Sequence, residues 1–255
     1  MTELTAWQEL DLRSPWLNAA GSLGFAPRQP ETCLWEEPLG AFVTNPVSMF
    51  RRTPAEERAV IPFPGGFLIH SGLPNPGLKG LLAVARHWER VAVPVWVHII
   101  GNTPEEIESM VRVLEGLEAV SAIELGIAPQ AEPDLTLKLV RAGVGELPLV
   151  VNFPLTDASE AWVDRLAGLG ASAISLGAPR GLLPAPGSMP GANGKLAAGR
   201  LYGPAILPLA LAAVRSLRRQ PLPVIASGGV YRKTDGEALL AAGAMAVQLD
   251  SVLWL

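Results

Sequence analysis

The chain is poor in the residues that carry cysteine, metal and nucleic-acid chemistry. One cysteine, Cys33, stands among 255 residues. A lone cysteine excludes an internal disulfide and a cysteine-built metal site, and suits a reducing cytosol. Histidines number three, and no His/Asp/Glu grouping has metal-ligand spacing. Charged residues make up 17% of the chain, with a net charge of −4 and no basic block. Nucleic acid is therefore a poor partner. The longest apolar run, Tyr202 to Val214, holds two prolines and is too short to span a bilayer. The opening stretch MTELTAWQELDL carries acids and no apolar centre, so it does not read as a signal peptide. These absences lead to the expectation of a cytoplasmic protein that meets neither membrane nor nucleic acid.

What is present is apolar mass in short pieces. Hydrophobic residues are 49% of the chain, enough for one large core. Short apolar runs bounded by Gly, Pro or polar residues recur at Ala41–Thr44, Phe67–His70, Val95–Ile99, Ala122–Leu125, Leu149–Val151, Ala173–Leu176, Val224–Ala226 and Ala246–Leu249. Most lack alternation, as strands covered on both faces do. Helical signals lie between many of them. Thr103-Pro-Glu-Glu106 is a capping box with proline at the first helical position, which predicts a helix over 104–118. Trp162, Leu166 and Leu169 fall at helical spacing. Thr234-Asp-Gly-Glu237 predicts a helix over 235–242. Eight strands with intervening helices predict one α/β domain over 1–255, a (β/α)8 TIM barrel of parallel strands.

Two segments break the rhythm. Gly177 to Gly203 follows the sixth strand, is rich in Pro and Gly and has almost no helical pattern. It reads as a lid or binding loop on the barrel's functional face, or as a disordered connector. The sequence also stops at Trp254-Leu255, just after the last strand, so the eighth outer helix is absent or truncated. The segment 1–20, with Leu4, Trp7, Leu10, Leu12 and Trp16, is one candidate to pack on that side. A second copy or a partner subunit is the other.

The densest signal runs from Pro223 to Ser251. It reads as strand, Gly-Gly turn, helix and strand. In a parallel barrel such a unit builds a cup of backbone N–H groups for a phosphate. A tight strand-to-helix turn is the plainer account of Gly228-Gly229.

The motifs, taken in order, resemble those of the class 1 dihydroorotate dehydrogenases, a family of FMN-dependent TIM barrels in pyrimidine biosynthesis. The likeness runs from Asn18 to Ser251. It is carried by Asn18-Ala-Ala-Gly-Ser-Leu-Gly-Phe25, Gly40-Ala-Phe-Val-Thr44, Gly72-Leu-Pro-Asn-Pro-Gly77, Gly101-Asn-Thr-Pro-Glu-Glu106, Gly203-Pro-Ala-Ile206, Ser227-Gly-Gly-Val230 and Gly243-Ala-Met-Ala-Val-Gln248. The resemblance implies FMN as cofactor, with Gly203, Gly228, Gly229 and Ser251 at phosphate contacts and Ser22 at a flavin contact.

Departures from that pattern concentrate where the resemblance puts the chemistry. Asn45 and Asn152 stand where the family has lysines at flavin and substrate. Ile69, with His70 beside it, replaces a substrate-binding Asn. His98 replaces a flavin-contacting Asn, and Gly126 another Asn. Ala178-Pro179 replaces an Asn-Thr pair. The catalytic Cys after the fourth strand is missing, and Asp250 takes the place of a phosphate-end Gly. A carboxylate there repels a phosphate unless a cation such as Arg200 or Arg232 answers it.

Dihydroorotate oxidation needs a base and a charge to steady reduced flavin, so ordinary activity is expected to be absent or very weak. Two functions stay open. One is an FMN oxidoreductase with another substrate. The other is a catalytically degenerate barrel that binds a phosphorylated metabolite or serves as a non-catalytic subunit. The site candidates are His70 and His98 for catalysis and Asn45, Asn152 and Arg180 for substrate. Each has a plain alternative. His98 can be a hydrogen-bonded core histidine, Glu124 a paired structural carboxylate, and Arg51, Arg52 and Arg180 solvated loop cations.

Overall fold

Short aliphatic runs closed by Gly or Pro become the strands of two sheets. The computed structural model describes residues 5–26, 35, 37–56, 59–129, 131–187 and 194–255. In chain order the strands are β1 (Trp16–Asn18), β2 (Phe42–Val43), β3 (Ala59–Phe63), β4 (Gly66–His70), β5 (Val95–Ile99), β6 (Val120–Gly126), β7 (Leu149–Pro154), β8 (Ala173–Gly177), β9 (Arg180–Pro184), β10 (Leu196–Tyr202), β11 (Val224–Ser227) and β12 (Ala246–Leu249). Eight of them form a parallel sheet in the order β1-β12-β11-β8-β7-β6-β5-β2. Its two ends meet at a bridge between Leu17 and Ala41. The buried Asn18 amide stitches that seam, donating to the Val43 carbonyl at 2.7 Å and accepting from the Val43 N–H at 2.8 Å. A side-chain amide thus replaces two missing ladder bonds, and the fold is a (β/α)8 barrel.

One expected barrel strand is corrected. Phe67–His70 lies in β4, outside the barrel, in a four-stranded antiparallel sheet of order β3-β4-β10-β9. Its place in the barrel is taken by β1, whose three residues Trp-Leu-Asn carry too short a pattern to read. The segment after β8 is also structured. Arg180–Pro184 and Leu196–Tyr202 pair with each other, and the second pairs with β4.

Helices α1 (Ala6–Glu9), α2 (Gly77–Ala85), α3 (Pro104–Leu114), α4 (Pro133–Gly143), α5 (Glu160–Ala167), α6 (Leu207–Leu217) and α7 (Lys233–Ala242) complete the order. The Thr103 hydroxyl caps α3 by accepting from the Glu106 N–H, and α3 buries Ile107, Met110, Val111 and Leu114. Helix α7 starts two residues before the expected point. The Asp235 carboxylate accepts the N–H groups of Tyr231 and Arg232 at 3.1 and 2.9 Å, so Asp235, and not Thr234, fixes the turn. A short 3-10 turn, Ser251–Trp254, follows β12.

Side chains two apart on a strand share a face, and the barrel interior follows that rule. Trp96, Ala122, Val150, Ala173, Ile225 and Ala246 form an apolar cluster with Leu10, Leu12 and Leu17 at the N-terminal end of the strands. Two residues further on, the inward positions turn polar: His98, Glu124, Asn152, Ser175, Ser227 and Gln248. Among the described residues, no helix is long and apolar enough to cross a membrane.

Candidate functional site

The polar layer opens into a cavity of about 310 Å³ at the C-terminal ends of the strands. His98, Asn152, Ser227, Gln248 and Asp250 line it from the barrel, and His70, Arg180, Arg200 and Tyr202 from the antiparallel sheet. This is the end where βα barrels place their ligands.

The cavity floor is a closed hydrogen-bond network. His98 Nδ1 lies 2.6 Å from Glu124 Oε2. The other carboxylate oxygen, Oε1, accepts from Ser175 Oγ at 2.6 Å and from Gln248 Nε2 at 2.7 Å. Asn152 Nδ2 donates to Ser175 Oγ at 2.9 Å. Glu124 is fully buried and His98 is 2% exposed. Burial works against the Glu124 charge, but the His98 hydrogen bond and charge, with the bonds from Ser175 and Gln248, outweigh it. Together they hold the carboxyl below its usual range. The far ring nitrogen, His98 Nε2, is buried and meets no protein hydrogen-bond partner. Gly126 makes room for it, since a Cβ there would fall 2.6 Å from Nε2.

The rim is cationic. Arg180 and Arg200 stand directly opposite each other on β9 and β10, and Arg52 joins them on the cavity wall. Like charges in a cross-strand pair repel. Burial and the Arg200 charge push Arg180 below its usual range, with Tyr202 pulling the other way. Among the described residues, the ion pairs join His98 to Glu124, Arg112 to Glu108, Arg232 to Asp235 and Lys233 to Glu37. None uses Arg180 or Arg200. Asp250 is half-buried, and burial pushes its carboxyl up to about 7, with Arg200 pulling it down. Of the two cations considered for Asp250, Arg200 is thus the one that acts on it, and Arg232 is held by Asp235.

The expected site residues separate into two groups. His70, His98, Asn152 and Arg180 line the cavity. Asn45, Ser22, Gly203, Gly228, Gly229 and Ser251 do not. Asn45 Oδ1 accepts from the Gly24 N–H at 3.0 Å, and Ser22 Oγ donates to the Ala19 carbonyl at 2.7 Å. Ser251 Oγ lies 2.8 Å from the Tyr231 hydroxyl. Gly229, at φ +76°, backs onto Leu207, and Gly203, at φ +126°, onto the Gly65–Gly66 turn. The Gly65 carbonyl accepts the Ala205 N–H at 3.2 Å. Phe67, Tyr202 and Trp254 pack together beside this end, with ring centroids 5.6 to 6.3 Å apart. His70 Nδ1 lies 2.8 Å from the Ala198 carbonyl. Cys33 lies outside the described residues. Ser175 carries no motif of its own, and Gln248 closes the Gly243–Gln248 motif without standing out as a site residue; their shared layer with Glu124 is what singles them out.

Comparison with known proteins fits this geometry. A Trichlorobacter lovleyi protein named dihydroorotate dehydrogenase B (NAD(+)), catalytic subunit, is 30% identical over 95% of this chain and 84% of its own length. The chain belongs to the dihydroorotate dehydrogenase family. A dihydroorotate dehydrogenase B catalytic subunit of Pelobacter propionicus is 29% identical over 96% of the chain and 86% of its own length. No protein-family model matches the chain. The fold agrees with a crystal structure of the Eimeria tenella dihydroorotate dehydrogenase (DHODH) in complex with ferulenol. It aligns with a TM-score of 0.63 at 14% identity, over 94% of this chain and 76% of the other. Within this dihydroorotate dehydrogenase family member, no group of three or more His, Cys, Asp or Glu could hold a metal among the described residues.

Proposed function

We propose that the barrel mouth binds a small anionic metabolite and does not oxidise dihydroorotate. The unpaired Arg180–Arg200 pair carries this reading. Two arginines in one cross-strand pair, with no ion pair to either among the described residues, are a ready fork for a carboxylate or phosphate.

FMN is the cofactor that the family resemblance implies, and the residues present do not fit it. Asn152 brings no charge to a reduced flavin and already donates to Ser175. At the phosphate end Gly203 and Gly229 approach the protein's own backbone. The Ala205 N–H is taken by the Gly65 carbonyl. Asp250 stands where the family resemblance implies a phosphate-end Gly, and it lines the barrel mouth. The retained glycines favour the second reading, an FMN oxidoreductase with another substrate.

Colour separates the two. The purified protein is expected to be colourless, to take up no added FMN and to leave dihydroorotate unoxidised. A flavin spectrum, or turnover of dihydroorotate above background, would overturn the reading. Calorimetry with small carboxylates should show binding that Arg180→Ala weakens about tenfold or more, the loss expected for a charged hydrogen bond.

The relatives are named as catalytic subunits, so a partner chain belongs to this reading. Val60, Leu182 and Leu196, each about 60% exposed or more, offer apolar area on the antiparallel sheet. A second copy or another subunit would cover it, and light scattering of the purified chain tests the first.

A further inference from the structure

The unpartnered ring nitrogen at the cavity floor adds a second demand on the ligand. A buried polar atom without a partner is costly, and native proteins keep few of them. His98 Nε2 is one, and it is held in place with care. An ionised Glu124 can only accept hydrogen bonds. The Nδ1 nitrogen therefore carries a proton, and in the neutral ring that leaves the Nε2 lone pair free to accept. Ser175 and Gln248 fix Glu124 in turn, so the ring cannot easily flip or drift. Gly126 keeps the space beside Nε2 clear. The same ring lines the cavity whose rim carries Arg180 and Arg200.

We propose that His98 Nε2 is a buried acceptor that reads a hydroxyl on the bound anion, so that the ligand class is a small hydroxy acid. The inference rests on the anion-binding reading above. The arginines take the carboxylate, and the floor takes the donor. An acid of the same size without a hydroxyl leaves Nε2 unpaired, and that asymmetry gives the selectivity. His98 touches the ligand, and Glu124 is a positioning residue that sets the tautomer.

Malate and succinate test this, because they differ by one hydroxyl. Calorimetry on the full chain should find one malate enantiomer bound about tenfold tighter than succinate, as for one hydrogen bond to a buried acceptor. His98→Phe should erase the preference while Arg180→Ala weakens both acids alike. Nitrogen-15 spectra of the unaltered protein keep the test alive if the variants fail to fold. They should show an Nδ1-protonated ring, with an Nε2 resonance that malate moves and succinate does not. A ring protonated on Nε2 in the free protein, or equal binding of both acids, would overturn the inference alone. Binding of neither acid would sink the anion reading and this inference with it.

Discussion

The two inward layers of the barrel are one pleat apart and chemically opposite. Trp96, Ala122, Val150, Ala173, Ile225 and Ala246 make a mainly apolar plug that also buries the Trp96 indole N–H without a partner. Two residues later on the same strands stand His98, Glu124, Asn152, Ser175, Ser227 and Gln248. Both layers are inside, so burial alone does not distinguish a core from a site. The difference lies in how each layer settles its free energy. The lower one removes apolar area from water. The upper one must satisfy every polar atom from within, and it does so around Glu124 except at His98 Nε2.

The largest effect should come from the lower layer. Trp96→Ala removes a fully buried indole and should cost about 3–5 kcal/mol. Urea denaturation measures this, and anion affinity should not change. A loss of affinity at constant fold would show that the layers are not separable. A smaller effect should come from Glu124→Gln. It swaps an acceptor-only group for a mixed one facing three donors, and should cost about 1–3 kcal/mol. It should also remove the Nδ1-protonated tautomer of His98, which nitrogen-15 spectra would report.

The smallest effect concerns Asp250 and pH. Its folded pKa, about 7, lies above the ordinary 3.8. Stability from this group is therefore fully present below the unfolded value and is lost as pH rises through about 7. Asp250→Asn should be more stable than the parent at pH 8 by about 1 kcal/mol, after discounting for partial solvent screening. Anion affinity should fall several-fold between about pH 6 and 8 in the parent, as the new carboxylate competes for Arg200. The Asn variant should show a flat profile, and a sloping one would place the titration elsewhere.

Much of the barrel was legible because strands covered on both faces are continuous apolar runs. Val95–Ile99 and Ala246–Leu249 were readable to the residue. Trp16–Asn18 was not, because its pairing rests on a seam that the Asn18 side chain completes. Phe67–His70 misled because Phe-Leu-Ile is as apolar as a barrel strand, although its partners are antiparallel. Strands β9 and β10 hid behind Gly181, Pro184 and Gly199, residues that lower strand propensity locally and are tolerated by tertiary pairing.

The site was half legible. His98, Asn152 and Arg180 stand at strand ends, where the barrel topology directs attention. Arg200 came to notice only as a counter-charge for Asp250, and its cross-strand place opposite Arg180 depends on a hairpin that local pattern does not reveal.

Gly126 sets a limit on change at its own position. The family resemblance implies Asn both there and at 98, where this chain has Gly126 and His98. A Cβ at 126 would fall 2.6 Å from His98 Nε2, so any side chain there requires the His98 ring to shift. The two positions are coupled: a side chain at 126 alone works against a His98 ring that Glu124 holds in place, and only a paired change at 98 relieves it.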